Sequence, residues 1–294
     1  MDTISFTSCA KVNLGLRILR KRPDGFHDIQ TILQTIDLQD KLRLSPTQHG
    51  NIQVRCQHPE VPSGAKNLAH RAARLIQREF NIRGGCQIEI IKKIPPAAGL
   101  GGGSSNAAAA LIGLNELWKL HLSKKKLLEL AARLGSDVPF FLEGGTALAE
   151  GRGERLTSLR LVPDFWLVLI KPEFSIDTSW AYGRVKIPLT SNSQYVKLKG
   201  LKEILTLEQL SSFLDNDLED AVGASYPSIG EMKEELLSKG AMGAAMSGSG
   251  SSVFGLVKTK KAAERLAKRV NRAKWQVFVV RPVRRCEGLG GLDH

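Results

Sequence analysis

The stretch Pro95-Pro-Ala-Ala-Gly-Leu-Gly-Gly-Gly-Ser-Ser-Asn106, continued by Ala107-Ala-Ala-Ala-Leu111, decides how the rest of the chain is interpreted. Three consecutive glycines are typical of a backbone that adopts positive φ or approaches a ligand closely. The polar residues 104–106 are favourable N-cap residues, and the alanines after them favour a helix. The preceding segment 86–93 alternates as a strand does. A strand, a glycine loop and a helix start aim backbone N–H groups at an anion, which predicts a nucleotide phosphate site.

The length of 294 residues predicts two domains, because single hydrophobic cores rarely grow beyond about 250–300 residues. A strand and glycine-rich turn over 144–153 place the boundary near residue 155, giving domains 1–155 and 156–294. No apolar run approaches the roughly 20 residues of a membrane helix. The N-terminus lacks the basic and apolar parts of a signal peptide. We therefore expect a cytoplasmic protein, in a bacterial cytosol or, for a mature plastid form, in the stroma.

The four cysteines, Cys9, Cys56, Cys86 and Cys286, are scattered and form no CxxC pair. In a chain this long, such spacing predicts unpaired thiols in a reducing compartment, with structural roles. It argues against a disulfide framework and against a zinc site.

The net charge of +13 is concentrated near the C-terminus, where residues 258–285 carry eleven Lys and Arg against Glu264. The segment 261–272 places Ala262, Leu266 and Val270 on one helical face, so the charges cover the opposite, solvated face. A basic field of this kind attracts a polyanionic small substrate. An RNA-binding protein is the alternative from another class, although the segment is poor in aromatic residues. We expect no nucleic-acid partner, no membrane partner, and a monomer or weak homodimer.

Residues 3–19 are predicted to form two extended segments, and apolar and polar residues alternate strictly over 11–18, so Lys11 and Asn13 lie on one face. The pattern alone fits a functional pair and also a half-buried strand with a solvated polar face. After the turn at 23–25, Phe26 and His27 are either surface residues or an aromatic platform with a hydrogen-bonding partner. Asp137 precedes an apolar run and is either a partly desolvated carboxylate or a capping residue.

Local patterns predict further elements along the chain. Strands are expected at 28–36, 41–45, 51–57, 164–171, 253–257 and 275–281. Helices are expected at 67–80, 107–117, 124–134, 213–221 and 228–238, with Ser123 capping the third. A short helix capped by Asp177 or Thr178 is expected before residue 182, a capping box at 206–209, and an exposed loop over 186–200.

Familiar phosphate-binding sequences are absent from the chain. It contains neither a Walker A sequence nor a GxGxxG fingerprint. The His-Arg-Asp and Asp-Phe-Gly sequences of protein kinases are missing too, and no HExxH suggests a metal cage. The glycine loop therefore needs another explanation.

The segment Pro95-x-x-x-Gly-Leu-Gly-Gly-Gly-Ser-Ser105 resembles the ATP-binding signature of the GHMP small-molecule kinases. Ala10-Lys-Val-Asn-Leu-Gly-Leu16 is similar to the family's first motif, and Ala245-Met-Ser-Gly-Ser-Gly-Ser-Ser252 to its third. The resemblance runs from Lys11 to about Gly255. It implies an α+β, two-domain GHMP kinase fold, with an N-terminal ribosomal-protein-S5-like α/β domain and a C-terminal α/β sandwich domain.

Within that family, two segments are similar to members that act on a cytidine diphosphate compound, namely Arg22-Pro-Asp-Gly-Phe-His-Asp28 and Ser136-Asp-Val-Pro-Phe-Phe141. The resemblance implies ATP-dependent phosphorylation of the 2-hydroxyl of a diphosphocytidyl methylerythritol, in the non-mevalonate route to isoprenoid precursors. Asp137 matches the catalytic base, and Lys11 matches the residue that polarises the attacking hydroxyl and keeps Asp137 ionised. A homoserine or mevalonate type of GHMP kinase is the alternative, against which the aromatic residues argue.

The resemblance also implies two sets of binding residues. Those for ATP are Asn67, Pro95, Gly99, Leu100, Gly101, Gly102, Gly103, Ser104, Ser105 and Asn106, with Ser104 or Ser105 as a ligand of Mg²⁺. Those for the substrate are Asn13, Phe26, His27, Thr178, Tyr182, Gly248, Ser249 and Gly250. Phe26 and Tyr182 match the pair that sandwiches the cytosine ring. Relatives commonly have Tyr in place of Phe26, so this chain keeps the stacking face and lacks the hydroxyl.

Overall fold

The computed structural model describes residues 3–161, 163–185, 202–204, 206–270, 273 and 275–287. The predicted exposed loop 186–200 lies outside this part of the chain.

The alternating N-terminal sequence forms a long antiparallel hairpin of β1 (Ile4–Lys21) and β2 (His27–Thr47), joined by the turn predicted at 23–25. The segments 28–36 and 41–45, predicted as separate strands, belong to one strand. The pairing register shifts at three places along β1, one of them between Asn13 and Gly15. Such irregularities bend a strand and change the direction of its side chains. A single bent strand can therefore continue over this length.

The hairpin is the centre of a six-stranded sheet with the order β3-β4-β2-β5-β6, in which β1 pairs only with β2. The other strands are β3 (Ile52–Cys56), β4 (Gly85–Ile91), β5 (Thr146–Gly151) and β6 (Arg155–Ser158). Only β3 and β4 run parallel; the remaining pairs are antiparallel.

Four helices accompany this sheet: α1 (Leu68–Glu79), α2 (Gly102–Leu117), α3 (Lys124–Leu134) and α4 (Val138–Glu143). Helix α3 has the predicted bounds, with Ser123 accepting a hydrogen bond from the Lys126 N–H. Helix α2 begins five residues earlier than the predicted residue 107, after Gly101 at φ 68°. The polar residues 104–106 are therefore not N-caps. They lie inside the helix, because a left-handed glycine starts it directly. The alanines 107–110 are fully buried, and α1 packs on α2.

The second half of the chain builds a four-stranded antiparallel sheet in the order β10-β11-β8-β12. Its strands are β8 (Trp166–Pro172), β10 (Gly243–Met246), β11 (Val253–Val257) and β12 (Trp275–Val280), and the short strands β7 (Arg160–Leu161) and β9 (Glu203–Ile204) pair separately. The helices here are α5 (Thr178–Gly183), α6 (Leu207–Ser211), α7 (Leu218–Gly223), α8 (Ser228–Ser238) and α9 (Lys260–Arg269). Two sheets accompanied by helices confirm the predicted α+β class.

The basic helix α9 and the residue after it bury Leu266 and Val270 as predicted, and Ala263 takes the place of Ala262 on the buried face. Its buried residues are Ala263, Leu266 and Ala267, followed by Val270, whereas Ala262 is only half-buried. The i, i+3, i+4, i+7 pattern starting at Ala263 follows the helical repeat more closely than a strict four-residue spacing does. The charged residues still cover the outer side.

The C-terminal segment returns to the first sheet and corrects the prediction of unpaired thiols. The Val283 N–H donates to the Thr35 carbonyl at 3.0 Å, which aligns this segment with β2. Cys286 thereby meets Cys9 and forms a disulfide with it, across 277 residues of sequence. Spacing could not reveal this pair because only the tertiary path of the chain brings the two residues together. Cys56 and Cys86 are free thiols, as predicted.

Among the described helices, none is both long and apolar enough to cross a lipid bilayer.

Candidate functional site

A cavity of about 950 Å³ lies where the glycine loop meets β1 and the third motif. It collects side chains and backbone from both halves of the chain. Its lining contains these predicted residues: Lys11, Asn13, Phe26, His27, Asn67, Pro95, Gly99, Leu100, Gly101, Gly102, Gly103, Ser104, Asn106, Asp137, Thr178, Tyr182, Gly248 and Ser249. Two predicted residues, Ser105 and Gly250, lie outside this lining.

The glycine loop ends in a helix N-terminus whose first backbone hydrogen bond joins the Ser105 N–H to the Gly101 carbonyl at 2.9 Å. The N–H groups of residues 102–104 therefore have no acceptor within the helix, and these three residues line the cavity. A side chain at Gly101 would be strained at φ 68° and would force the Phe141 ring to shift, since a Cβ there would lie 2.7 Å from that ring. This helix end is suited to binding a phosphate group.

The third motif packs directly on the glycine loop. The Gly99 carbonyl accepts hydrogen bonds from the Ser247 hydroxyl and the Lys11 ammonium, both at 2.9 Å. The Ser252 N–H donates to the Ala98 carbonyl at 3.2 Å. The two glycine-containing loops thus form one wall, although they are far apart in sequence.

A buried asparagine that the sequence interpretation missed shapes the third motif. The Asn216 amide donates to the carbonyls of Met246 and Gly248, each at 2.8 Å. It precedes α7 by two residues, and a single Asn beside a helix carries no sequence signal for such a role.

Lys11 is almost completely buried, with 4% of its surface exposed. Its Nζ lies 2.5 Å from Asn13 Oδ1 and 3.8 Å from Asp137 Oδ2. Burial lowers the pKa of Lys11 below its ordinary value, and the negative charge of Asp137 offsets part of that effect. The Asn13 amide also donates to Thr31 Oγ1 at 2.8 Å, so in this structure Asn13 orients Lys11.

Asp137 occupies the N-cap position of α4, yet within the described chain its carboxylate makes no capping hydrogen bond. The capping alternative is therefore not what the structure shows. The side chain is 37% exposed and faces Lys11 at the edge of the cavity. A carboxylate placed this way can accept a proton from a hydroxyl group in the cavity.

The other end of the cavity is aromatic. The Phe26 side chain is 52% exposed, and the Arg152 guanidinium lies 5.0 Å from its ring centroid. The rings of His27 and Tyr182 are 5.4 Å apart and tilted by 32°. Burial and then the charge of Lys21 lower the pKa of His27, so its imidazole is neutral at pH 7. Burial, and to a smaller degree the charge of Asp137, raises the pKa of Tyr182.

Two further predicted residues are held by hydrogen bonds at the rim. Thr178 Oγ1 lies 2.9 Å from Ser249 Oγ, which joins α5 to the third motif. Asn67 Oδ1 accepts from the Ala69 and His70 N–H groups, and its amide donates to the Pro62 carbonyl. Asn67 therefore caps α1 in addition to lining the cavity.

Basic residues that the sequence interpretation did not select also line the cavity, namely Lys21, Lys66, Lys92 and Arg152. Lys92 and Arg152 each lie next to a glycine-rich segment. That position in the sequence was the signal that could have identified them as cavity residues. Together these cations favour a polyanionic ligand.

Two family descriptions match the chain: residues 67–145 match the GHMP kinases N terminal domain, and residues 196–276 match the GHMP kinases C terminal domain. With the two sheets and the helix-end site, they define a small-molecule kinase of the GHMP type, as the resemblance in the sequence implied.

The curated relatives are more specific. The 4-diphosphocytidyl-2-C-methyl-D-erythritol kinase of Geobacter sulfurreducens is 44% identical over 96% of this chain and 100% of its own length. That of Pelotomaculum thermopropionicum is 43% identical over 92% of this chain and 95% of its own length. The chain therefore belongs to the 4-diphosphocytidyl-2-C-methyl-D-erythritol kinase family of GHMP kinases.

Solved structures agree with that assignment. A crystal structure of 4-(cytidine 5'-diphospho)-2C-methyl-D-erythritol kinase has a TM-score of 0.79 and 34% identity, covering 95% of this chain and 99% of its own. A homoserine kinase from Cytophaga hutchinsonii has a TM-score of 0.76 at 22% identity, covering 97% and 96%, which shows the shared fold alone. The predicted GHMP kinase fold is confirmed.

Proposed function

We propose that the protein transfers the γ-phosphoryl group of ATP to the 2-hydroxyl of 4-diphosphocytidyl-2-C-methyl-D-erythritol, in the non-mevalonate route to isoprenoid precursors. The observation that carries this proposal is the pair of Lys11 and Asp137, 3.8 Å apart in a cavity that also holds the N-terminus of α2. The names of the relatives support the choice of substrate.

Phosphoryl transfer depends mainly on positioning and on stabilising charge. The N–H groups of residues 102–104 bind the phosphates of ATP at the positive end of α2. The substrate oxygen forms a bond to the γ-phosphorus, the bond from that phosphorus to the β–γ bridging oxygen breaks, and ADP leaves. The proton of the hydroxyl passes to Asp137 Oδ2. The Lys11 ammonium beside it orients the hydroxyl.

Magnesium would neutralise charge on the ATP phosphates in such a site. Within the described chain, no group of three or more His, Cys, Asp or Glu residues could hold a metal ion. Ser104 lines the cavity, and its hydroxyl would help to hold the ion there. Ser105 fits less well because its hydroxyl is buried outside the lining, with no hydrogen-bond partner in the described structure.

The cytosine end of the substrate is assigned to the aromatic end of the cavity. Phe26 and Tyr182 supply stacking faces, and the neutral imidazole of His27 can both donate and accept hydrogen bonds. Phe26 provides no hydroxyl, so recognition of the base edge falls to His27 and neighbouring backbone. In this proposal the first domain, residues 1–155, provides the end of the cavity that binds ATP. Residues 156–294 add Thr178, Tyr182 and the third motif.

The proposal is tested by measuring ADP release with the cytidyl substrate, homoserine and mevalonate in separate assays. We expect turnover with the cytidyl substrate alone. Asp137→Asn should lower kcat by about 100-fold to 10,000-fold, because it removes the proton acceptor. Asp220→Asn, at an exposed position of α7, is the matched control and should leave kcat unchanged.

Near wild-type turnover in a folded Asp137→Asn enzyme would show that the mechanism is wrong. Turnover with homoserine or mevalonate alone would show that the substrate is wrong.

A further inference from the structure

A buried carboxylate lies behind the glycine loop, outside the cavity lining. Asp40, near the middle of β2, is 1% exposed. Its Oδ1 accepts hydrogen bonds from the backbone N–H groups of Lys93 at 2.7 Å and Ile94 at 2.8 Å. These two residues connect β4 to the glycine loop, so one oxygen of Asp40 anchors the loop at its start.

The second oxygen anchors the other side of the loop. Asp40 Oδ2 accepts from the Asn106 amide at 2.9 Å and forms a buried ion pair with the Lys92 ammonium. Asn106 lies in the second turn of α2 and also donates to Ser8 Oγ at 2.7 Å. A single carboxylate therefore joins the strand before the loop, a lysine and the helix after the loop.

The ion pair aims a positive charge at the helix end. The Lys92 ammonium lies 2.8 Å from the position that a Cβ on Gly102 would take, and Lys92 lines the cavity. Buried ion pairs contribute little net stability, because taking both charges out of water costs about as much as their attraction returns. A contribution to stability therefore does not explain this ion pair. A fixed cation beside the N–H groups of α2 does have a use, because it favours the binding of an anionic ligand.

We propose that Asp40 is a positioning residue for nucleotide binding. Through Oδ2 it holds the Lys92 ammonium in place at the N-terminus of α2, so that the charge is oriented before a nucleoside triphosphate enters. This inference rests on the proposed ATP-dependent function. It gives Asp40 no contact with the nucleotide, because Asp40 acts through Lys92.

Asp40→Asn separates the two roles of the carboxylate. An amide oxygen can still accept from the backbone of residues 93 and 94, but an amide NH₂ group would face Lys92 and Asn106. We expect the KM for ATP and the dissociation constant of a fluorescent ADP analogue to rise at least about tenfold. The KM for the cytidyl substrate should change less than about twofold, since that end of the cavity is untouched.

Asp217→Asn is the matched control. Asp217 also joins a cation and a backbone N–H, those of Arg17 at 2.7 Å and Ile18 at 2.7 Å, and it does not line the cavity. Its substitution should leave the ADP dissociation constant unchanged. A purely structural role of Asp40 predicts that both variants lower the melting temperature without changing nucleotide affinity.

Lys92→Met and the double variant complete the test. Because Asp40 acts through Lys92, the double variant should bind ADP no more weakly than Lys92→Met does. Additive losses would overturn the inference, and so would a folded Lys92→Met enzyme with wild-type affinity for ADP. The last result decides the matter even if Asp40→Asn fails to fold. If the wild-type protein binds no ADP, the proposed function fails, and the inference fails with it. If the wild type is active and Asp40→Asn matches it, the inference alone fails.

Discussion

Lys11 combines a buried ammonium group with a nearby carboxylate and an asparagine oxygen. Since burial lowers its pKa, Lys11 loses its proton at a lower pH than a solvated lysine does. In the proposed mechanism, the protonated form of Lys11 is the one that orients the hydroxyl. At the residue scale, the proposed mechanism therefore depends on a lysine that loses its charge at a lower pH than a solvated lysine does.

We expect kcat to fall on the alkaline side at a pH below the ordinary lysine value of 10.5. Asn13→Asp would place a negative charge where Asn13 Oδ1 now lies, 2.5 Å from the ammonium. This charge should raise the pKa of Lys11 and move the alkaline limb to higher pH. Profiles of kcat against pH measure the effect, with Asn13→Ala as the control that removes the oxygen without adding charge. An unchanged limb in Asn13→Asp would mean that another group controls it.

Phe26 offers a test of the aromatic end, because its ring is half exposed and has Arg152 on one face. Phe26→Leu should raise the KM for the cytidyl substrate about fivefold, from a stacking loss of about 1 kcal/mol. The KM for ATP should not change. Phe26→Tyr keeps the ring and should stay within about twofold of the wild type. Equal KM values for Phe26→Leu and the wild type would place the base elsewhere.

At the scale of elements, the glycine loop and the third motif constrain each other. Gly99 has φ 75°, and a Cβ on it would overlap the carbonyl oxygen of Ser247. A left-handed conformation costs a residue other than glycine about 1 kcal/mol or more, and here the overlap with backbone adds to that cost. The close approach of the two loops therefore requires glycine at position 99.

Gly99→Ala should both destabilise the protein and weaken ADP binding, because the loop must shift away from Ser247. Gly240→Ala is the matched control. Gly240 has φ 108°, and nothing lies within 4 Å of the position of its Cβ. We expect the control to show the conformational cost alone, with unchanged ADP affinity. Thermal unfolding and titration with the ADP analogue measure the two effects, and equal losses of affinity in both variants would contradict the packing argument.

At the scale of the whole molecule, the C-terminal segment closes the chain onto β1. The disulfide between Cys9 and Cys286 spans 277 residues, and hydrogen bonds of the Val283 and Arg281 backbone to β2 align it. Because a cross-link restricts the unfolded chain, a closed loop of this length contributes to stability.

We expect Cys9→Ser with Cys286→Ser to lower the free energy of unfolding by about 2–5 kcal/mol under non-reducing conditions. A reducing agent should have the same effect on the wild type. Urea unfolding measures both, with Cys56→Ser, a half-buried free thiol, as the control. Thiol titration of the unfolded, unreduced protein should find two free cysteines, and four would refute the disulfide.

The elements that the sequence predicted well are those specified by nearby residues. Helix α3 has its predicted bounds because Ser123 caps it and Gly135 ends it. Helix α8 and strand β11 also have their predicted bounds. Helix α2 was predicted less well. Capping preferences favoured a start after residues 104–106, whereas the helix begins earlier, at Gly102, directly after the left-handed Gly101.

The sequence by itself determined the glycine loop, helices such as α3 and α8, the position of Lys11 and Asn13 on one face, and the family. Each depends on patterns within a few residues or on a resemblance between motifs. The resemblance also implied that Lys11 acts beside Asp137, and the structure brings the two together. Only the tertiary structure decided which other distant groups meet: Gly99 with the third motif, Asp40 with both sides of the loop, and Cys9 with Cys286. The physical reason is that such contacts follow from how the two sheets and the helices pack, and no local preference of the chain encodes that packing.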